Sequence, residues 1–132
     1  MLIVEDFADN RELLTEYLTF RGFTVDAAAD GAAAIRMARA DRPDVILMDL
    51  RMPGLDGWEA TRRLKADPST AAVPVVAVTA HALRLEIDSA RNAGCDAVVA
   101  KPFDIAALAD ALESFRSRGV GVFERPGLAL KA

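Results

Sequence analysis

A chain of 132 residues and 14.1 kDa has the size of one domain, which excludes two independent cores. Its 52% hydrophobic content excludes a disordered, solvated chain, and its single cysteine, Cys95, excludes an internal disulfide framework. A formal net charge of -4 argues against a basic nucleic-acid face and against a polybasic membrane patch.

Met1 to Val4 is the first apolar run, and it stops at Glu5-Asp6. Asp9, with Glu12 three residues on, reads as the N-cap of a capping box. Leu14, Tyr17 and Leu18 then form the apolar stripe of a first helix that Gly22 stops. Thr24-Val25-Asp26-Ala27 alternates polar with apolar, the pattern of a strand at a sheet edge. Gly31 precedes an alanine-rich helix containing Ile35 and Met37. Val45 to Met48 is the third strand and stops at Asp49. Gly57 precedes a helix carrying Trp58, Thr61 and Leu64, which Pro68 ends. Val75 to Val78 is the fourth strand, stopping at Thr79-Ala80. Leu83, Ile87 and Ala90 mark a fourth helix closed by Gly94. Ala97 to Ala100 is the fifth strand, stopping at Lys101-Pro102. Ile105, Leu108, Leu112 and Phe115 mark a fifth helix after Asp104.

Short apolar runs without alternation suit parallel strands covered on both faces. The order βαβαβαβαβα therefore predicts an α/β fold, a doubly wound parallel sheet with right-handed crossovers. Gly119, Gly121, Pro126 and Gly127 break the pattern after the fifth helix, so the domain is expected over residues 1–117, with a tail over 118–132. No apolar run approaches the roughly 20 residues of a membrane span, and no signal peptide opens the chain, so a soluble, cytoplasmic protein is expected.

Glu5 and Asp6 follow the first strand, Asp49 the third, Thr79 the fourth and Lys101 the fifth. In open α/β sheets this carboxyl edge is where ligands bind. Three carboxylates held together raise one another's pKa, and a hard divalent ion such as magnesium offsets that with oxygen ligands. No His or Cys accompanies these strand ends closely enough for a transition-metal site. A carboxylate flanked by such an ion, a lysine and a hydroxyl suits acceptance of a phosphoryl group. The chain has no G-x-x-x-x-G-K-[ST] and no G-x-G-x-x-G run, so the phosphoryl donor is expected to be another molecule.

The segments LIVEDFADNRELL, PDVILMDLRMPGLDGWEATRRL, PVVAVTAHAL and AGCDAVVAKPF resemble the receiver domain of two-component response regulators, over residues 1 to about 117. The resemblance implies a flavodoxin-like five-stranded sheet of order 2-1-3-4-5 with five helices. It implies that Asp49 is the phosphoacceptor, that Asp6, Asp49 and the backbone carbonyl of Arg51 hold Mg2+ directly and Glu5 through water, and that Thr79 and Lys101 bind the phosphoryl group. Lys101-Pro102 matches a bond that is usually cis in the family. The implied donor is a histidine kinase or histidine phosphotransfer protein. The implied output is a downstream protein partner, with a weak homodimer through the helix 4–strand 5–helix 5 face. Direct nucleic-acid and membrane binding are not expected, and neither is an enzyme beyond its own phosphorylation and dephosphorylation. No output domain is recognisable in the tail, which leaves a stand-alone receiver and a module excised from a hybrid histidine kinase both open.

Two departures stand out. Val98 occupies the position where receivers carry Tyr or Phe, so the usual aromatic part of the switch is missing. Arg51 and His81 stand two residues after Asp49 and Thr79, where side chains flank the path of hydrolytic water. Arg51 is expected to lie across the phosphoryl group and slow its loss; His81 reads as an exposed loop residue. A haloacid-dehalogenase-like phosphatase would need an acid at the position of Arg51, and a degenerate scaffold would not keep the acids and lysine. Cys95 reads as a small buried thiol, Trp58 as packed under its helix, and Arg62, Arg63 and Lys65 as a solvated helix face.

Overall fold

The computed structural model describes residues 1–80 and 84–118. The elements are β1 (Leu2–Val4), α1 (Ala8–Phe20), β2 (Asp26–Ala28), α2 (Gly31–Ala40), β3 (Ile46–Asp49), α3 (Gly57–Ala66), β4 (Val75–Thr79), α4 (Arg84–Ala93), β5 (Ala97–Ala100) and α5 (Ile105–Arg118). The strands form one parallel sheet of order β2-β1-β3-β4-β5.

Alternate strand residues serve two separate apolar layers. Leu2, Val4, Ile46, Met48, Val75, Ala77 and Val98 pack with buried residues of α2, α3 and α4. Ile3, Leu47, Val76, Ala97 and Val99 pack with residues of α1 and α5. This division explains the unbroken apolar runs, since both faces of each inner strand are covered. Among the described residues no helix is long and apolar enough to cross a membrane.

Three local expectations are corrected. Asp9 lies inside α1 rather than at its cap; the N-cap is Phe7, which offers no side-chain hydrogen bond. The cap is displaced because the chain leaves β1 directly into the functional edge, and the first turn of α1 is spent on it. The edge strand is Asp26–Ala28, later and shorter than the alternation of Thr24 to Ala27. Lys65 is not on a solvated face: its ammonium binds Asp96 at 3.0 Å and the carbonyls of Val73 and Ala71 at 2.8 and 3.3 Å. Arg62 and Arg63 are exposed and pair with Glu59. Cys95 is a buried free thiol, its pKa pushed up to about 11 by burial.

Asp30 and Asp56 cap α2 and α3, accepting from the N–H groups of Ala33 and Glu59 at 2.7 and 2.9 Å. The start of α3 sits directly on the end of β3. A Cβ at Gly57 would lie 2.3 Å from the Asp49 carbonyl oxygen and 2.6 Å from Leu50 Cα, so only glycine fits. The Gly57 N–H donates to the Leu50 carbonyl at 2.9 Å, closing the loop that follows Asp49.

Candidate functional site

The sheet brings the sequence-predicted residues to one edge. Asp49 and Thr79 are the last residues of β3 and β4. Glu5 and Lys101 come one residue after β1 and β5. Glu5, Asp49 and Thr79 are buried, Lys101 is partly covered, and Asp6 is exposed. Carboxylate oxygens of Glu5, Asp6 and Asp49 lie within 4.8 Å of one another. The Lys101 ammonium is 3.2 Å from Glu5 Oε1 and 3.5 Å from Asp49 Oδ2. The Lys101–Pro102 bond is cis.

Asn10 and Arg11 of α1 join this edge without having been singled out in the sequence. Asn10 Nδ2 donates to Glu5 Oε1 at 3.0 Å, and Arg11 Nη1 donates to the Glu5 carbonyl at 2.9 Å. Their signal is positional: they occupy the first turn of a helix that begins just after the acid pair. Arg51 also reaches the phosphoacceptor candidate, its backbone N–H donating to Asp49 Oδ1 at 3.3 Å. Its side chain pairs with Glu86 of α4. His81 lies outside the described residues.

The electrostatics of the acid pair are uneven. Burial, a hydrogen bond with Glu5 and the charge of Glu5 push Asp49 from its ordinary 3.8 up to about 7. Burial also raises Glu5, but hydrogen bonds from Asp49 and Asn10 and the charge of Lys101 bring it below the usual range. Burial and the neighbouring carboxylate thus favour a proton on Asp49 over one on Glu5. Among the described residues Glu5 Oε2 is buried and meets no protein donor. A divalent cation would satisfy both carboxylates at once, and the all-oxygen donor set suits a hard ion. Glu5, Asp6 and Asp49 thus fit magnesium.

Residues 1–113 match the family described as response regulator receiver domain. The chain belongs to that family. A relative of this receiver is the polar-differentiation response regulator DivK of Brucella anthropi, 34% identical over 115 residues that cover 87% of this chain and 94% of DivK. The response regulator PleD of Caulobacter vibrioides is 40% identical over 104 residues, 79% of this chain but 23% of PleD. Among solved structures, the receiver domain of a Pseudomonas aeruginosa sensor histidine kinase superposes with a TM-score of 0.78 at 40% identity, covering 85% of this chain and 92% of that one. That structure carries a magnesium ion coordinated in its active-site cleft. Chemotaxis protein CheY4 of Vibrio cholerae superposes with a TM-score of 0.80 at 27% identity, covering 85% and 93%. The receiver is a module of two-component signalling, and its sheet order is the flavodoxin-like order of these neighbours.

Proposed function

We propose that this receiver accepts a phosphoryl group on Asp49 from a histidine kinase or histidine phosphotransfer protein, with magnesium, and that phosphorylation switches its binding to a downstream protein. The observation that carries the reading is Lys101, placed between Glu5 and Asp49 at the mouth of a carboxylate cluster. Glu5, Asp6, Asp49 and the backbone carbonyl of Arg51 would hold the ion. When bound, magnesium supplies a Lewis acid that withdraws charge from the transferring oxygens.

The remaining steps belong to the chain's own groups. Asp49 must be unprotonated to react. Its carboxylate oxygen donates an electron pair to phosphorus as the P–N bond to the donor's histidine breaks, and that bond's electron pair returns to the ring nitrogen. Lys101 offsets charge on the phosphoryl oxygens, and the Thr79 hydroxyl donates to one of them. Asn10 and Arg11 keep Glu5 in place throughout. The same reading assigns residues 1–117 to the receiver unit and 118–132 to a tail. It sends the signal out through α4, β5 and α5, the elements that follow Thr79 and carry Lys101 at their junction; the same face would support a weak homodimer.

Incubation with acetyl phosphate and magnesium tests the reading. An acid-stable, base-labile mass gain of one phosphoryl group, mapped to Asp49, is the expected result. Turnover of generic phosphate esters without a stable adduct would favour a phosphatase and overturn it.

A further inference from the structure

One carboxylate on α4 reaches two groups that flank Asp49. Glu86 lies in the first turn of α4, and its side chain is 13% exposed. One of its oxygens pairs with the Arg51 guanidinium. The other, Oε2, is 3.4 Å from Thr79 Oγ1, a long hydrogen bond. Arg51 is also held on its far side, its guanidinium carbon 5.7 Å from the centroid of the Trp58 ring. Among the described residues the Arg51 side chain makes no ion pair with Asp49, although its backbone N–H donates there.

We propose, resting on the assignment of Asp49 as phosphoacceptor, that Glu86 is a positioning residue. It parks the Arg51 guanidinium against Trp58 and directs the Thr79 hydroxyl toward α4 until a phosphoryl group competes for both. The competition favours the phosphoryl group. It brings a charge of about -1.5 to -2 and three strong acceptor oxygens. Arginine matches such oxygens with a two-pronged fork, and a long hydroxyl contact is readily exchanged for a shorter charge-assisted one.

Two consequences distinguish this arrangement from a bystander ion pair. Before transfer, Arg51 is kept off the approach to Asp49, so the incoming donor meets the carboxylate directly. After transfer, Arg51 and Thr79 change partners together, and the first turn of α4 is left with a carboxylate that has lost a cation and a hydroxyl. Such a largely buried charge is costly to leave unpaired, so α4 must readjust. Val98 has no ring to move beneath α4, where it packs in the same layer as Ile87. Glu86 supplies the coupling that an aromatic side chain cannot supply here.

Trp58 is the single tryptophan of the chain, so its fluorescence reports the Arg51 contact directly. The full chain would be compared as wild type, Glu86→Gln, Glu86→Asp, Arg51→Met and Glu86→Gln/Arg51→Met. At rest, Glu86→Gln should shift Trp58 emission toward that of Arg51→Met, and Glu86→Asp, which keeps the charge, should restore most of the wild-type value. Phosphorylating the wild type should move emission in the same direction. The phosphoryl lifetime on Asp49 should shorten about three- to tenfold in Arg51→Met, which removes the pairing with the phosphoryl oxygens. In the Arg51→Met background the Glu86 substitution should change neither emission nor lifetime.

Equal effects of Glu86→Gln with and without Arg51 would show a merely structural role and overturn the proposal. So would wild-type emission in resting Glu86→Gln. Arg51 is 53% exposed, so Arg51→Met reads the same contact from the surface even if a Glu86 variant folds poorly. Absence of phosphoryl label on wild-type Asp49 would remove the underlying reading. Normal labelling with an unresponsive Glu86→Gln would remove this inference alone.

Discussion

The two walls of the site are built differently. On the β1 side, Glu5 is buried and fastened by Asn10 and Lys101, while Arg11 holds its carbonyl. On the β4 side, Thr79 meets α4 through a 3.4 Å contact to Glu86, and Glu86 leans on a half-exposed arginine. The contacts to Glu5 run from 2.9 to 3.2 Å, while the contact from Thr79 to α4 is the longer one. A cluster of like charges has to be held rigidly to exist at all, whereas an element that answers a new charge must have contacts it can give up. The contrast predicts where substitutions abolish chemistry and where they only retune it.

The most damaging change is at Asp49, which ends β3 between the two walls. Asp49→Asn should eliminate acid-stable, base-labile phosphoryl incorporation, checked by mass spectrometry after acetyl phosphate treatment. Undiminished labelling would show that another residue is the acceptor. Next is Lys101→Met, which removes the cation shared by Glu5 and Asp49. Phosphorylation rate should fall by about 100-fold, the cost of losing one charged group from a transferring site. If Lys101→Met labels at the wild-type rate, the lysine serves stability alone.

Metal affinity should follow the proton on Asp49. With its pKa pushed up to about 7, the ion must displace that proton below this value. Apparent magnesium affinity should therefore rise by up to about tenfold per pH unit below 7 and level off above it. Calorimetry in buffers of different ionisation enthalpy checks the released proton. A pH-independent affinity between 5 and 7 would show that Asp49 is ionised without metal.

The smallest expected effect is on metal-free stability. Asp49 has a raised pKa in the folded chain, so the folded state binds the proton more tightly than the unfolded state between 3.8 and about 7. Stability is then lost as pH rises through that window, the reverse of an ordinary salt-bridged carboxylate. Asp49→Asn should flatten this slope and stabilise the apo protein at neutral pH by about 1–2 kcal/mol, or several degrees in Tm. Melting curves at pH 5 and pH 7.5 check both points. Magnesium should narrow the difference by stabilising the wild type selectively.

The frame of the molecule could be read from its residues because burial on both faces leaves a simple trace. Ile46-Leu47-Met48 is apolar throughout, and the first polar residue after it, Asp49, is the residue at the sheet edge. The same logic found Glu5, Thr79 and Lys101. What escaped depends on how helices are phased against loops. Asn10, Arg11 and Glu86 are ordinary helix-surface residues by type, and nothing in their spacing says which faces the acids. The misplaced cap at Asp9 has a related cause, since the functional edge overrode a good local signal. The edge strand slid to Asp26–Ala28 because a three-residue strand with one covered face has too little pattern to fix its ends. Lys65 has the same charge as its neighbours Arg62 and Arg63, yet its place in the last turn of α3 brings it to the carbonyls of the loop that follows and to Asp96.

Far from the chemistry, Arg21 at the end of α1 binds Asp110 and Glu113 of α5 at 2.6 and 2.9 Å, with the Tyr17 hydroxyl at 3.1 Å. The near end of α5 starts four residues after Lys101, on the opposite side of the sheet's length. A helix clasped near its middle and loaded at one end behaves as a lever. Any displacement at Lys101 should be widest near Ile105 and fade toward the Arg21 clasp, which acts as its fulcrum. Because the clasp is made of partly exposed ion pairs, raising the ionic strength should loosen the pivot and spread the motion along the whole helix.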